Sequence, residues 1–175
     1  MEKEILFADL DGTLIQTITD NPFPQGIWDM HIRLKVLDAI KLLKPKRIYI
    51  VSNQGGIGLG YVTNQSFRIK IRYIATAIQE YTGIRTKYAY CTANNPDDRN
   101  RKPNVGMLEN ILANDDCGEV SKESMLMIGD ASGKEGDFSD SDKRTAENFG
   151  IDYLDIEDFV EYMRDELARK RAEKE

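Results

Sequence analysis

The chain has 175 residues, a mass of 20.0 kDa and a net charge of −6, with 41% hydrophobic and 31% charged residues. These values suit one folded globular domain over residues 1–175 and exclude a disordered chain, and the acidic balance does not by itself point to a nucleic-acid binder. No apolar run approaches the about 20 residues a membrane helix needs. The charged start Met1-Glu2-Lys3-Glu4 is no secretory signal, and the two cysteines, Cys91 and Cys117, form no disulfide framework, so a cytoplasmic location and no membrane partner are expected.

Glu4 to Ala8 reads as a buried strand stopped by the acidic turn Asp9-Leu10-Asp11-Gly12. Residues 15 to 30 read as irregular, with Asn21-Pro22 and Pro24 as breakers. Ile32, Val36, Leu37, Ile40 and Leu43 predict a helix that Pro45 ends. Arg47 to Val51 is rich in β-branched residues and predicts a second strand, broken by Ser52-Asn53-Gln54-Gly55-Gly56. Phe67, Ile71, Ile74 and Ile78 mark the buried stripe of a helix over Asn64–Tyr81, closed by Gly83. Arg68, Lys70 and Arg72 on the same helix read as its solvated face.

Thr86 to Cys91 predicts a third strand, and Pro103 is placed to open a helix through Leu112. Ser124 to Ile128 is a fourth strand ending in Gly129-Asp130, and Asp142 to Phe149 a short helix capped by Gly150. Ile151 to Leu154 is a fifth strand, and a final helix starts at Ile156, with the charged residues 168–175 expected to fray. Strands alternating with helices predict an α/β fold, a doubly wound parallel sheet with helices on both faces and a minimal cap or none.

Ligands of such sheets bind beyond the carboxyl ends of the strands. The polar residues collect at that edge: Asp9 and Asp11 after strand one, Ser52 and Asn53 after strand two, Lys102 after strand three, and Asp130, joined by Asp142, after strand four. Carboxylates gathered there repel one another unless a cation neutralises them, and an all-oxygen set suits Mg²⁺. Lysine and hydroxyl donors beside such an ion suit a phosphoryl group in transfer. One carboxylate can attack phosphorus, and a second, two residues on, can move the protons.

At these residues the chain resembles a known group. Phe7-Ala8-Asp9-Leu10-Asp11-Gly12-Thr13-Leu14 looks like the first motif of haloacid dehalogenase-type phosphatases. Ser52-Asn53, Lys102-Pro103 and Gly129-Asp130 match the second, third and fourth motifs, in the family's order. The resemblance implies Asp9 as nucleophile and Asp11 as general acid/base. It implies Ser52 and the Asn53 backbone on the phosphoryl oxygens, Lys102 balancing their charge, and Asp9, the Asp11 carbonyl and Asp130 holding Mg²⁺.

A closer likeness is to the phosphatase domain of polynucleotide kinase 3′-phosphatases. It rests on Phe23-Pro24 and Trp28, on Ser52-Asn53-Gln54 with Ile57-Gly58, on Arg101-Lys102-Pro103, and on the extended stretch from Gly129-Asp130-Ala131-Ser132-Gly133-Lys134 through Asp137-Phe138-Ser139 to Ser141-Asp142. It implies DNA or RNA 3′ ends as substrate, with Thr13, Asn53, Gln54 and Arg101 on the substrate and Asp142 and Asp137 in support. The family's basic insert in this stretch is short here, and no kinase domain is present. Phe23 and Trp28 read either as local packing or as an apolar platform for a base. Arg99, Arg101, Lys102, Lys134, Lys143 and Arg144 form an expected positive rim.

Two rival readings remain. One is a small-molecule phosphatase resembling histidinol-phosphate or heptose-bisphosphate phosphatases. Many of these carry a Cys/His zinc loop, which Cys91 to Lys102, with one cysteine and no histidine, cannot form. The other is a non-enzymatic phosphoacceptor domain, against which the Asp9-Leu10-Asp11 spacing argues for turnover.

Overall fold

The computed structural model describes residues 1–19 and 21–173. β1 (Ile5–Ala8) leads into a hairpin of β2 (Ile15–Thr17) and β3 (Met30–Ile32). Next come α1 (Leu34–Leu43), β4 (Arg47–Asn53), the single turn α2 (Gly55–Gly58), α3 (Asn64–Thr82) and β5 (Arg85–Cys91). The chain continues through α4 (Gly106–Ala113), β6 (Met125–Gly129), α5 (Ser141–Phe149), β7 (Asp152–Asp155) and α6 (Ile156–Ala172). Among the described residues five strands make one parallel sheet in the order β5-β4-β1-β6-β7. The chain winds outward from β1 in one direction, then returns and winds in the other, which is the doubly wound topology.

Side chains of a strand alternate between faces, and both faces here are apolar. Leu6, Ile48, Ile50, Leu126 and Ile128 pack under Val36, Leu37 and Ile40 of α1, Phe67, Ile71 and Ile74 of α3, and Phe159 of α6. Ile5, Phe7, Tyr49, Val51 and Met127 pack under Met107, Leu108 and Ile111 of α4 and Ala146 and Phe149 of α5. Phe7 is fully buried, with ring centroids 5.5 Å from Tyr49 and 6.2 Å from Phe149. Burying one such side chain contributes about 1.5–3 kcal/mol.

The sheet's amino end is pinned by Asp115, which no sequence pattern marks. It accepts the Tyr49 hydroxyl at 2.7 Å and pairs with Lys87 at 2.7 Å and with Arg47 and Arg85 at 3.4 Å. Burial raises its pKa, but the Lys87 and Tyr49 donors outweigh that and hold the carboxyl at about 2.

Five local readings are corrected. Residues 15–30, expected to be irregular, contain the hairpin, which pairs Ile15 with Ile32, Gln16 with His31 and Thr17 with Met30. Its three-residue strands are too short for a period to register in the sequence. The loop between them closes on buried Asp29, whose carboxylate accepts the backbone N–H of Thr19 at 3.1 Å and of Gln25 at 3.0 Å. Ile32 therefore belongs to β3, and α1 starts at Leu34.

β4 runs on through Ser52 and Asn53, which keep their pairing with Tyr90 and Cys91. α4 starts at Gly106 rather than Pro103, because Asn104 spends its side-chain amide on the carbonyls of Pro96 and Asp98 in a turn ahead of the helix. α6 continues to Ala172, past the expected start of fraying at Ala168. Its last turn carries Arg169, Lys170 and Arg171, cations that complement the helix dipole, and Arg169 also pairs with Glu166. Residues 174 and 175 lie outside the described residues. No helix among those described is long and apolar enough to cross a membrane.

Candidate active site

Because the five strands run in parallel, their carboxyl ends share one edge. Asp9 follows β1, with its N–H on the Ile128 carbonyl at 3.0 Å. Ser52 is the last residue but one of β4, Lys102 lies in the loop between β5 and α4, Asp130 directly after β6 and Asp142 in the first turn of α5. The structure brings these residues together around the Lys102 ammonium. Its three protons go to Asp9 Oδ1 at 2.6 Å, Asp142 Oδ1 at 2.7 Å and the Val51 carbonyl at 2.9 Å. A buried ammonium is costly unless its donors are satisfied, and here they are. Asn53 fixes the backbone at that point: its Oδ1 accepts the Lys102 N–H and its Nδ2 donates to the Lys102 carbonyl, both at 2.9 Å.

Two glycines make room for the acids. A Cβ on Gly12, whose φ is +81°, would lie 1.9 Å from Asp130 Oδ2, and one on Gly129 would lie 2.2 Å from Asp142 Oδ2. Oxygens of Asp9, Asp130 and Asp142 lie within 4.8 Å of one another. Three carboxylates against one ammonium leave two negative charges unbalanced in a largely buried space.

The titration of these groups follows from that crowding. Burial pushes the Asp9 carboxyl up; Lys102 opposes the rise, and Asp142 and Asp130 add to it. Burial and then Asp142 raise Asp130 to about 6. Burial alone lowers the Lys102 ammonium, but Asp142 and Asp9 reverse this and hold it above the ordinary lysine range.

An excess of hard oxygen donors fits a small divalent cation such as Mg²⁺. Asp142 already spends Oδ1 on Lys102 and Oδ2 on the Ala131 N–H at 3.2 Å, so Asp9 and Asp130 are the better placed to hold it.

Cation and proton therefore compete, and the sign follows. Carboxyls with raised folded pKa values cost stability as pH climbs from the unfolded value, near 4, through about 6. A bound cation removes that cost. At pH 8, saturating Mg²⁺ is expected to raise Tm by about 5–10 °C, as a ligand at about a hundred times its Kd would. At pH 5 most of the gain should vanish. Thermal melts with Mg²⁺ and with chelator check this, and an equal shift at both pH values would contradict it.

The other site residues of the sequence reading turn toward the protein. Asp11 lies apart from the acid cluster: its Oδ2 accepts Gln54 Nε2 at 2.7 Å, and its Oδ1 lies 3.8 Å from the Lys70 ammonium. Gln54 Nε2 also donates to Ser52 Oγ at 2.9 Å, so the side chain expected on substrate bridges two site residues instead. Thr13, also expected on substrate, is fully buried and directs its hydroxyl at Asp130 Oδ1, 3.4 Å away. Arg101 donates to the Ala93 carbonyl at 2.8 Å. Asp137 folds the loop that delivers Asp142, accepting the Ser132 hydroxyl at 2.6 Å and the N–H groups of Ser132 and Lys134. Those donors hold its carboxyl below the usual range.

Two residues of this neighbourhood escaped the sequence reading. Lys70, read as solvated, is buried beside Asp11. The readable sign was its position three residues after Phe67, on the buried stripe. Arg33 is buried, donates to the Gly12 carbonyl at 2.7 Å and pairs with Glu157, tying the acidic turn to α6. Nothing in the sequence marks it.

The expected positive rim is partly neutralised: Lys134 pairs with Asp158 at 2.7 Å and Arg99 with Glu109 at 2.6 Å. Apolar groups are prominent instead. Phe23 on the hairpin loop meets Phe138 of the loop after β6 edge-on at 5.9 Å, and Phe138 and Trp28 are 89% and 72% exposed.

A doubly wound sheet with an Asp-x-Asp turn after its first strand, a buried lysine gripping the first of those acids and a second acid group after the fourth strand is the plan of the haloacid dehalogenase-type phosphatases, and this chain shares it. Within that class, residues 4–160 match the family model described as polynucleotide kinase 3 phosphatase, and the chain belongs to that family.

It is 31% identical over 160 residues to the bifunctional polynucleotide phosphatase/kinase of Schizosaccharomyces pombe, covering 90% of this chain and 37% of that protein. It is 29% identical over 137 residues to a probable D-glycero-D-manno-heptose-1,7-bisphosphate 7-phosphatase of Thermoplasma volcanium, covering 77% of this chain and 90% of that one. A crystal structure of D,D-heptose 1,7-bisphosphate phosphatase from B. bronchiseptica, complexed with magnesium and phosphate, shares the fold. It superposes with a TM-score of 0.63 at 18% identity, over 97% of this chain and 99% of that one.

Proposed function

We propose that the protein is a Mg²⁺-dependent phosphomonoesterase that removes the 3′-phosphate from DNA or RNA ends through an aspartyl-phosphate. The observation that carries the chemistry is the Lys102 ammonium on Asp9 Oδ1, which fixes that carboxylate at the sheet edge and leaves its other oxygen to react. Asp9 attacks phosphorus, the bond from phosphorus to the 3′-oxygen breaks, and the carboxyl proton of Asp11 passes to the leaving oxygen. The Asp11 carboxylate then takes a proton from water as the water oxygen attacks phosphorus. The acyl-phosphate bond breaks, releasing inorganic phosphate and the Asp9 carboxylate. Ser52 Oγ accepts from Gln54, so its own proton is free to donate to a phosphoryl oxygen. Bound Mg²⁺ would be held by Asp9 and Asp130, with the Asp11 carbonyl completing the protein ligands, and would offset the charge of the phosphoryl group.

The substrate reading rests on the family match and on the entrance. Among the described residues only the small hairpin and a 3₁₀ turn over Ile27–Asp29 intervene between β1 and α1, so a polymer end has room to enter, and the exposed Phe138 and Trp28 rings offer stacking faces for unpaired bases. A second reading, hydrolysis of a small sugar phosphate, is favoured by the Thermoplasma volcanium relative, nearly as similar as the Schizosaccharomyces pombe one. The test offers a 3′-phosphorylated oligonucleotide, its 5′-phosphorylated counterpart, and heptose and histidinol phosphates, each with Mg²⁺ and with chelator. Loss of only the 3′-phosphate, dependent on Mg²⁺, is the expected result. Turnover confined to the small phosphates would overturn the nucleic-acid substrate and keep the Asp9 chemistry.

A further inference from the structure

We propose that Lys70 is a positioning residue for the proton-transferring carboxylate of Asp11; the inference rests on the acid/base role given to Asp11 above. Lys70 lies on the stripe of α3 that packs into the core, beside Phe67, Ile71 and Ile74, and is itself 7% exposed. Burying an ammonium on an apolar stripe is costly, and a methionine or leucine would serve the packing better. The lysine makes little structural use of its charge. Its ammonium lies 5.4 Å from the Phe67 ring centroid and 3.8 Å from Asp11 Oδ1, too far for a hydrogen bond.

The other half of the pair is equally unusual. Asp11 Oδ1 is buried and, among the described residues, accepts no hydrogen bond, whereas Oδ2 is held by Gln54 at 2.7 Å. One oxygen is thus anchored, and the other is attracted without being occupied. A carboxyl group that must hand a proton to a leaving oxygen needs a fixed side-chain direction, which Gln54 on Oδ2 and the Lys70 charge beside the buried Oδ1 set together. An apolar residue at position 70 would let the carboxylate turn away. The step served is proton transfer from the Asp11 carboxyl to the leaving oxygen, which receives the electron pair of the breaking bond to phosphorus.

The experiment compares leaving groups in the full-length protein with Mg²⁺. p-Nitrophenolate departs from phosphorus without a proton, whereas an alkoxide such as that of glycerol phosphate needs one. Rapid-quench measurement of the first turnover reads the step directly. Lys70→Met is expected to slow it about 10–100-fold for the alkyl ester, within the span general acid catalysis supplies, and to leave the p-nitrophenyl ester close to wild type. Lys70→Arg should recover most of the loss.

Equal slowing of both esters, or of neither, overturns the inference. Asp11→Asn serves as the reference. If it fails to discriminate between the esters, the acid/base reading of Asp11 falls and this inference with it. If it discriminates while Lys70→Met does not, the inference alone falls.

Discussion

Asp9→Asn is expected to lower turnover by at least about a thousandfold, with no phosphoenzyme trapped on acid quench, while the protein stays folded. The amide keeps the shape of the side chain, and its oxygen can still accept the Lys102 proton that Asp9 Oδ1 receives at 2.6 Å. It loses the charge that the proposed mechanism directs at phosphorus. Stability should hold or improve, because the change removes one of the three crowded negative charges. Its metal-free melting temperature should also fall less than that of wild type between pH 5 and pH 8, since one proton-hungry carboxyl is gone. Turnover within tenfold of wild type would move the nucleophile to another residue.

The second large effect is expected at Lys102. Lys102→Met leaves Asp9 and Asp142 facing each other and Asp130 with no ammonium between them. Removing one partner of a buried ion pair costs about 3–5 kcal/mol, and for a chain of this size that lowers Tm by about 6–20 °C. The deficit should be largest at pH 8 without divalent cation. It should shrink toward pH 5, where Asp130, raised to about 6, and Asp9 take up protons that replace the lost positive charge.

Adding Asp9→Asn to Lys102→Met should restore part of the stability, so the two changes will not add. Activity should fall at least a hundredfold in either case, because the ammonium that holds the Asp9 carboxylate is missing. Melts of the single and double variants across pH separate this from a general loss of packing, which would show no such pH dependence.

The sheet edge that gathers these acids was legible because its signals are local. An apolar run stopped by Asp9-Leu10-Asp11-Gly12 is a strand meeting a tight turn, and Gly12 is there because a side chain would strike Asp130. Ser52, Lys102 and Asp130 were found in the same way, each at the end of a strand pattern or in the loop behind it. The hairpin over residues 15–32 was not legible: three paired residues per strand leave no period, and its closure depends on Asp29 catching backbone N–H groups 4 and 10 residues away.

Orientation was likewise out of reach. Thr13, Gln54 and Arg101 stand in the stretches that bear the resemblance, yet each spends its side chain on a protein partner. Lys70 looked like any solvated helix lysine, and Asp115 like any loop acid.

Periodicity, turn chemistry and caps act over a few residues, so the sequence by itself determined the order of strands and helices, the doubly wound class and the shared edge with its acids. Which carboxylate pairs with which ammonium depends on groups brought together from distant parts of the chain. Lys102 reaches Asp142 across 40 residues and Asp9 across 93, and Lys70 meets Asp11 only because α3 packs against β5 and α1 on the sheet face. Burial then sets the strength of each pairing, since charges interact far more strongly once water is excluded. Only the tertiary structure decided which of the many acids and lysines became a coupled site and which remained on the surface.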